Sequence, residues 1–237
     1  MRRAFLAGAT LTAMAVADPG AAQSIRSPYD FVESPRAFYL YGTYVATDRG
    51  VIDVGPGSGT GFGLGYTMRI SGPFNLDARL THLPTDRRVY LTTEADSATL
   101  RENPRAGLEE LGTADVSLTL VDVAIRFDIT GPRTWHNLQP YVLLGAGGVF
   151  RTSTSNEVEQ GLPTDVDLRV RFENGVTGQL GAGVEWHLGD RFGLRMEARD
   201  LLWQVDVPSG FLQPGRVIDD SEWVQTAHLS LGLSYRF

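Results

Sequence analysis

Between Phe38 and Phe237, in eight runs of ten to fifteen residues, apolar side chains recur at every second position. No segment of similar length carries an apolar stripe of helical period. A period of two puts successive side chains on opposite faces of an extended strand, so each run folds as a strand with one apolar face and one polar or small face. The runs are 38–47, 59–70, 74–83, 116–129, 140–151, 176–188, 192–205 and 223–237. In 59–70, Phe62, Leu64, Tyr66, Met68 and Ile70 oppose Gly61, Gly63, Gly65, Thr67 and Arg69. In the last run Leu229, Leu231, Leu233, Tyr235 and Phe237 oppose His228, Ser230, Gly232, Ser234 and Arg236. Ten residues at a rise of about 3.3 Å, tilted by about 40°, reach about 25 Å, the height of an outer-membrane apolar band.

The links between runs alternate in length. Ser71-Gly72-Pro73, 130–139 and Gly189-Asp190-Arg191 are short, whereas 48–58, 84–115, 152–175 and 206–222 are mostly much longer. That alternation predicts an all-β fold, an eight-stranded antiparallel up-and-down transmembrane β-barrel with short periplasmic turns and long outer loops. Two irregularities qualify the strand pattern. Residues 116–129 slip phase near Leu120-Val121, which predicts a bulge or a later strand start. Residues 166–172 keep the phase of 176–188, so this strand is expected to project beyond the membrane; a hairpin turn at Asn174-Gly175 gives a ten-stranded count instead.

A membrane barrel turns its apolar face to lipid, and a secreted lipocalin-type barrel turns it inward around a ligand. Aromatic residues near run ends (Phe38, Tyr39, Tyr141, Phe150, Trp186, Phe192, Trp203, Trp223, Tyr235, Phe237) suit the interfacial girdles of a membrane barrel. The polar faces carry Asp77, Arg79, Arg126, Asp128, Glu185, Arg195, Glu197 and Arg199, four acids and four bases. Facing lipid, a basic residue near midplane costs about 2–4 kcal/mol and an acid less; the sum rivals a whole protein's stability of about 5–15 kcal/mol. These eight are expected to face inward and form a lumen charge network. The glycines opposite large inward side chains are expected to make room for them.

Arg2 and Arg3 followed by the small and apolar stretch 4–17, with Gly20-Ala21-Ala22 before Gln23, form a signal-peptide pattern. The expected organisation is a signal peptide over 1–22, a short periplasmic segment over 23–37 and the barrel over 38–237. The chain has no Cys, which excludes a disulfide scaffold, a thiolate metal site and a Cys nucleophile. Its net charge of -7 argues against nucleic acid as a partner. The acidity is concentrated in the four long links, which hold 18 acids and 8 Arg. Within them Asp219, Asp220 and Glu222 are a candidate for a divalent cation bridging to lipopolysaccharide. The four His (82, 136, 187, 228) show no ligand spacing, and no Gly-x-Gly-x-x-Gly occurs in 55–65, so no cofactor is expected.

The eight alternating strands and the terminal Leu229-x-Leu231-x-Leu233-x-Tyr235-x-Phe237 resemble the small outer-membrane β-barrels of the OmpA and OmpX type; the stretch Pro140 to Gly147 is similar to strands of these porin-like proteins. The resemblance covers nearly all of the chain after residue 22 and implies an architecture without an activity. It implies a place in the outer membrane of a Gram-negative-type bacterium, among lipid and lipopolysaccharide. It also implies that Leu229, Leu231, Leu233, Tyr235 and Phe237 form the assembly signal read by the barrel-assembly machinery. The expected function is non-enzymatic, in envelope integrity or surface interaction with an extracellular ligand through loops 84–115 and 152–175. One alternative is OmpW-like passage of small apolar molecules past Val89, Tyr90, Leu91, Phe211 and Leu212. Others are the soluble lipocalin-type barrel and a lipid A-modifying enzyme. The enzyme reading rests on the similarity of His228-x-Ser230 to the pair of barrel deacylases, but no acid or Asn follows Ser230 to orient the base.

Leu231→Arg is expected to weaken insertion into lipid vesicles by about 2–4 kcal/mol, with Ser230→Arg tolerated better. Equal refolding yields for the two variants contradict the assigned faces.

Overall fold

The structure, a computed structural model, describes residues 27–93, 95–151, 158, 162, 168 and 175–237. The segment 1–22, expected to be a signal peptide, lies outside these residues, as do Asn174 and nearly all of 166–172. Ten strands are present among the described residues: β1 Tyr29–Phe31, β2 Arg36–Thr47, β3 Gly59–Ser71, β4 Phe74–Thr92, β5 Leu108–Asp128, β6 Arg133–Trp135, β7 Leu138–Arg151, β8 Gly175–His187, β9 Phe192–Asp206 and β10 Ser221–Arg236. Eight of them form an antiparallel ring in the order β2-β3-β4-β5-β7-β8-β9-β10, closed where β10 pairs back onto β2 with Leu231 opposite Gly42. Closure leaves no sheet edge, so every ladder hydrogen bond is made within the wall, as hydrocarbon demands. Leu229 and Leu231 stand outside, 61% and 54% exposed, and Ser230 between them is 8% exposed. The soluble-barrel alternative, which buries the apolar face, is therefore excluded.

Two expectations about strand limits are corrected. The segment 84–115 is not a loop: β4 and β5 stay paired from Phe74↔Phe127 to Thr92↔Leu108, with helix α1 (Ser97–Glu102) at the tip, N-capped by the Asp96 carboxylate. Beyond the bilayer the outer face of a hairpin meets water, so Asp86, Arg88 and Asp115 extend the strands without the apolar alternation that marks the membrane part. There is also no bulge at Leu120-Val121. Pairing with β4 is regular there, and the irregularity falls between Val89 and Tyr90, leaving Leu111 unopposed. Burial alternates without a break from Ala114 to Asp128. What changes at Val121 is the chemistry of the inner face, from Val116, Leu118 and Leu120 to Asp122, Arg126 and Asp128.

The aromatic residues divide as well. Phe38, Trp186, Phe192, Tyr235 and Phe237 face outward near the periplasmic rim, with Phe38 stacked on Phe237 at 5.4 Å, and Phe150 and Trp223 face outward at the other end. Tyr39, Tyr141 and Trp203 were expected in the same girdles but lie inside, because their places in the strand share the phase of the buried polar residues. Each lumen tyrosine rests over a glycine directly across the wall: Tyr39 over Gly65, Tyr41 over Gly63 and Tyr141 over Gly183. A Cβ at Gly65 would lie 2.1 Å from Tyr39 Cζ.

At the periplasmic end, residues 28–35 cross the opening from the β5–β7 turn to β3. β1 pairs with β6, His136 N donates to Pro28 O, and Arg69 N donates to Pro35 O. Val32, Ser34 and Pro35 roof a residual cavity of about 30 Å³ above Asn75, Arg126, Asp128 and Glu185. Gly65→Ala is expected to lower the stability of the refolded barrel by about 1–3 kcal/mol, the usual cost of overpacking, and a shift of the urea midpoint in vesicles measures it.

Candidate functional site

The inner half of the lumen is a packed set of ions. Asp77 accepts from Arg195 Nη2 (2.9 Å), Arg199 Nη2 (2.7 Å), Thr67 Oγ1 (2.8 Å) and Tyr39 Oη (3.0 Å). Glu197 accepts from Arg79 Nη1 (2.5 Å), Arg195 Nη2 (2.6 Å), Arg199 Nε and Tyr141 Oη (2.8 Å). Nearer the periplasm Arg126 reaches Asp128 at 2.6 Å and Glu185 at 3.1 Å. Tyr141 joins the two groups: Arg195 Nε donates to its hydroxyl at 2.7 Å, and the Arg126 guanidinium lies 3.8 Å from its ring centroid. Arg195 and Arg79 stack likewise on Tyr39 and Tyr41, at 4.2 and 4.1 Å. All eight charged residues marked in the sequence are buried here and meet in these two groups.

The outer half is closed by apolar side chains. Leu118, Leu120, Leu201 and Trp203 from the wall continue upward into Ile52, Val89 and Phe211 from the surface segments, as one buried cluster. Phe211, in a single 3-10 turn (Ser209–Phe211), and Ile52 are completely buried. The space left between Leu83, Leu118, Leu120, Leu201 and Trp203 is a cavity of about 10 Å³, at the lower limit for one water molecule. Polar contacts fasten the surface segments over this cluster. Arg49 pairs with Asp86 at 2.9 Å, Arg88 pairs with Asp53, and Arg216 donates to Ala106 O at 2.9 Å.

A family model described as the outer membrane protein beta-barrel domain matches residues 4–237. The chain belongs to this family. Its members' address, the outer membrane, is that of this chain. The solved structures similar to this barrel include Neisserial surface protein A (13% identity, 86% of this chain and 98% of that one, TM-score 0.48). They also include OprG from Pseudomonas aeruginosa (16% identity, 86% and 97%, TM-score 0.48) and the E. coli outer membrane protein W (14% identity, 86% and 100%, TM-score 0.44). No curated protein matches the sequence.

In this outer-membrane barrel the chemistry available to the network is limited by saturation. The carboxylates of Asp77 and Glu197 each take donors from four residues, and both lie closed off from solvent. His228 and Ser230 also face the lumen. Ser230 Oγ donates to Thr43 Oγ1 at 3.1 Å and accepts from Arg79 Nη2 at 3.4 Å, and no hydrogen bond joins it to His228 among the described residues. The acids proposed for a divalent cation do not converge. Glu222 Oε2 instead accepts from Val51 N at 2.9 Å, and among the described residues no three acids or histidines are grouped to hold a metal. Of the five residues proposed to line an outer pocket, Val89, Tyr90 and Phe211 are in the apolar cluster and Leu91 packs against it, whereas Leu212 is exposed.

Sequence reasoning missed three parts of the lumen. Asp122 was hidden by the false phase slip, although its spacing from Arg126 and Asp128 matches theirs. Strand-end position suggests interfacial roles for Tyr39 and Tyr141 and gives none to Tyr41, yet all three line the lumen. Arg236, known to sit on a polar face, was not placed at the lumen floor, where its Nη2 donates to Gly189 O and Phe192 O. Glu197→Ala is expected to destabilise the refolded barrel by about 3–5 kcal/mol, because it leaves three buried guanidinia short of an acceptor; urea unfolding in lipid vesicles provides the measurement.

Proposed function

We propose that this chain is a non-conducting, non-enzymatic outer-membrane barrel that serves envelope integrity or surface interaction, presenting its acidic surface segments to an extracellular ligand. The observation that supports this reading is a lumen blocked by ion pairs in the inner half and by apolar side chains in the outer half. A solute moving along the axis would have to part both. The absence of an exposed nucleophile–base pair at Ser230 and His228 supports the non-enzymatic side of it. In the same reading residues 1–22 are the cleaved signal peptide and 23–37 the periplasmic segment. Leu229, Leu231, Leu233, Tyr235 and Phe237 then address the barrel-assembly machinery, and lipopolysaccharide surrounds the outer rim.

One observation favours a second reading, binding of a small apolar molecule at the outer mouth. The lumen there is apolar rather than polar, and Phe211 fills it from a segment, 207–220, that is not part of the ring. An apolar ligand would take the place of the Phe211 ring.

Planar-bilayer recordings are expected to show no stepwise conductance for the refolded protein, and discrete steps of reproducible size would overturn the non-conducting reading. Saturable quenching of tryptophan emission by a small apolar probe, strengthened by Phe211→Ala, decides for the second reading; quenching that rises linearly without saturation decides against it.

A further inference from the structure

The β1–β6 ribbon lies outside the ring, at its periplasmic end, and three residue pairs hold it together: Tyr29↔Trp135, Asp30↔Thr134 and Phe31↔Arg133. A two-stranded piece of this size is marginal in water unless one of its faces is covered. The inner face covers little. Asp30, Val32, Ser34 and Thr134 line a cavity of about 730 Å³ at the mouth, with His187 and Arg236 across from them. The outer face carries Tyr29, Phe31, Trp135 and Arg133, all exposed. Three large aromatic side chains standing free on so small a ribbon call for a partner.

The register shows where that face points. His136 and Asn137, with φ of 49° and 64°, form a two-residue turn, so β6 folds directly back onto β7 with Trp135 opposite Leu138. Leu138 is in turn opposite Trp186 of β8. Residues directly opposite in a ladder share a face. The row Trp186, Leu138, Trp135, Tyr29 therefore runs unbroken from the lipid-facing wall onto the ribbon, and its three aromatics are each about half exposed. Trp186 already belongs to the periplasmic girdle. Beside this row stand Phe31 and Arg133. Arg133 has no carboxylate partner among the described residues, so its guanidinium is free for an anion from outside the chain.

We propose that this ribbon is a membrane anchor, docked by its outer face on the phospholipid headgroup layer beside the periplasmic rim. Tyr29 and Trp135 take the interfacial depth that amphipathic rings prefer, and Arg133 donates to a lipid phosphate. A periplasmic protein or wall polymer would not require the aromatic row to continue the lipid-facing wall. Anchored there, the ribbon holds the segment 32–35 in place across the mouth.

Two reporter chains refolded into phosphatidylcholine vesicles test this. In the first, Trp186 and Trp223 are changed to Phe, which leaves Trp135 as the exposed emitter and Trp203, buried in the lumen, as a constant background. In the second, Trp135 is changed to Phe as well and Tyr29→Trp takes its place as the emitter. Heat-modifiable gel migration confirms that each barrel is folded. Both emitters are expected to be quenched by lipid brominated near the headgroup end of its chains and shielded from acrylamide supplied on both sides of the membrane. Adding Arg133→Glu is expected to reverse this for Tyr29→Trp, with loss of the bromolipid quenching and unchanged gel migration. Emission from Tyr29→Trp that is open to acrylamide and untouched by bromolipid, as a protein partner missing from the vesicles would leave it, overturns the proposal. Bromolipid quenching that Arg133→Glu leaves unchanged overturns it too.

Discussion

Hydrocarbon offers a polar group neither a hydrogen bond nor a counter-charge, and the placement of the wall and lumen residues in this barrel follows from that. The backbone is satisfied by ring closure, and most lipid-facing positions are apolar. Asp200 of β9 excepted, the charged side chains between the rim aromatics turn inward, where they must neutralise one another. The chain contains 21 arginines and no lysine, which suits this task. A planar guanidinium presents several donors in a fixed fork, and Arg195 uses it to bridge Asp77 and Glu197 while stacking on Tyr39. Arg199 bridges the same two acids from the other side. An ammonium, a point charge on a flexible stem, makes neither the bridge nor the stack as well.

The lumen changes chemistry along its length because its two ends face different surroundings. Below, the network is fixed in the membrane zone, where removing any member strands its partners. Above, the β4–β5 hairpin and the surface segments stand in water, and there the hydrophobic effect gathers Ile52, Val89 and Phe211 over the wall residues Leu118 and Leu120. The glycine beneath each tyrosine belongs to the lower half. A ring lying flat on the wall needs a cross-strand neighbour without a side chain, and Gly63, Gly65 and Gly183 supply it.

The period of two was enough to read strand number, ring closure and the inward direction of Asp77 or Glu197, because in lipid one wrong phase would expose a whole set of charges. It failed where that penalty is absent. Residues 84–92 and 108–115 are strands outside the bilayer, so their outward positions are polar and the pattern reads as loop. At Leu120 the inward face turns apolar, so two apolar residues, Leu120 and Val121, stand side by side on opposite faces and mimic a slip. Tyr39 and Tyr141 were misassigned for a related reason: aromatic residues near strand ends suit a membrane interface, but strand phase overrides position along the strand. Which acid meets which arginine depends on cross-strand register and ring curvature, neither of which spacing along one strand encodes.

The two kinds of lumen packing also differ in how they can open. The ion network is tied to strands whose ladders run round the closed ring, so loosening it requires loosening the wall. The segment 207–220 is attached differently, by the contacts of Phe211 and by the hydrogen bonds of Arg216 to Ala106 O and of Ser97 Oγ to Pro214 O. Its release exposes apolar surface at the mouth but breaks no strand pairing in the ring, and such detachable segments occupy the low end of a protein's local stability. The membrane half is therefore the frame and the outer mouth the part able to respond. From the outer mouth inward, the surface segments and their apolar cluster come first, and the charged layer lies beneath them.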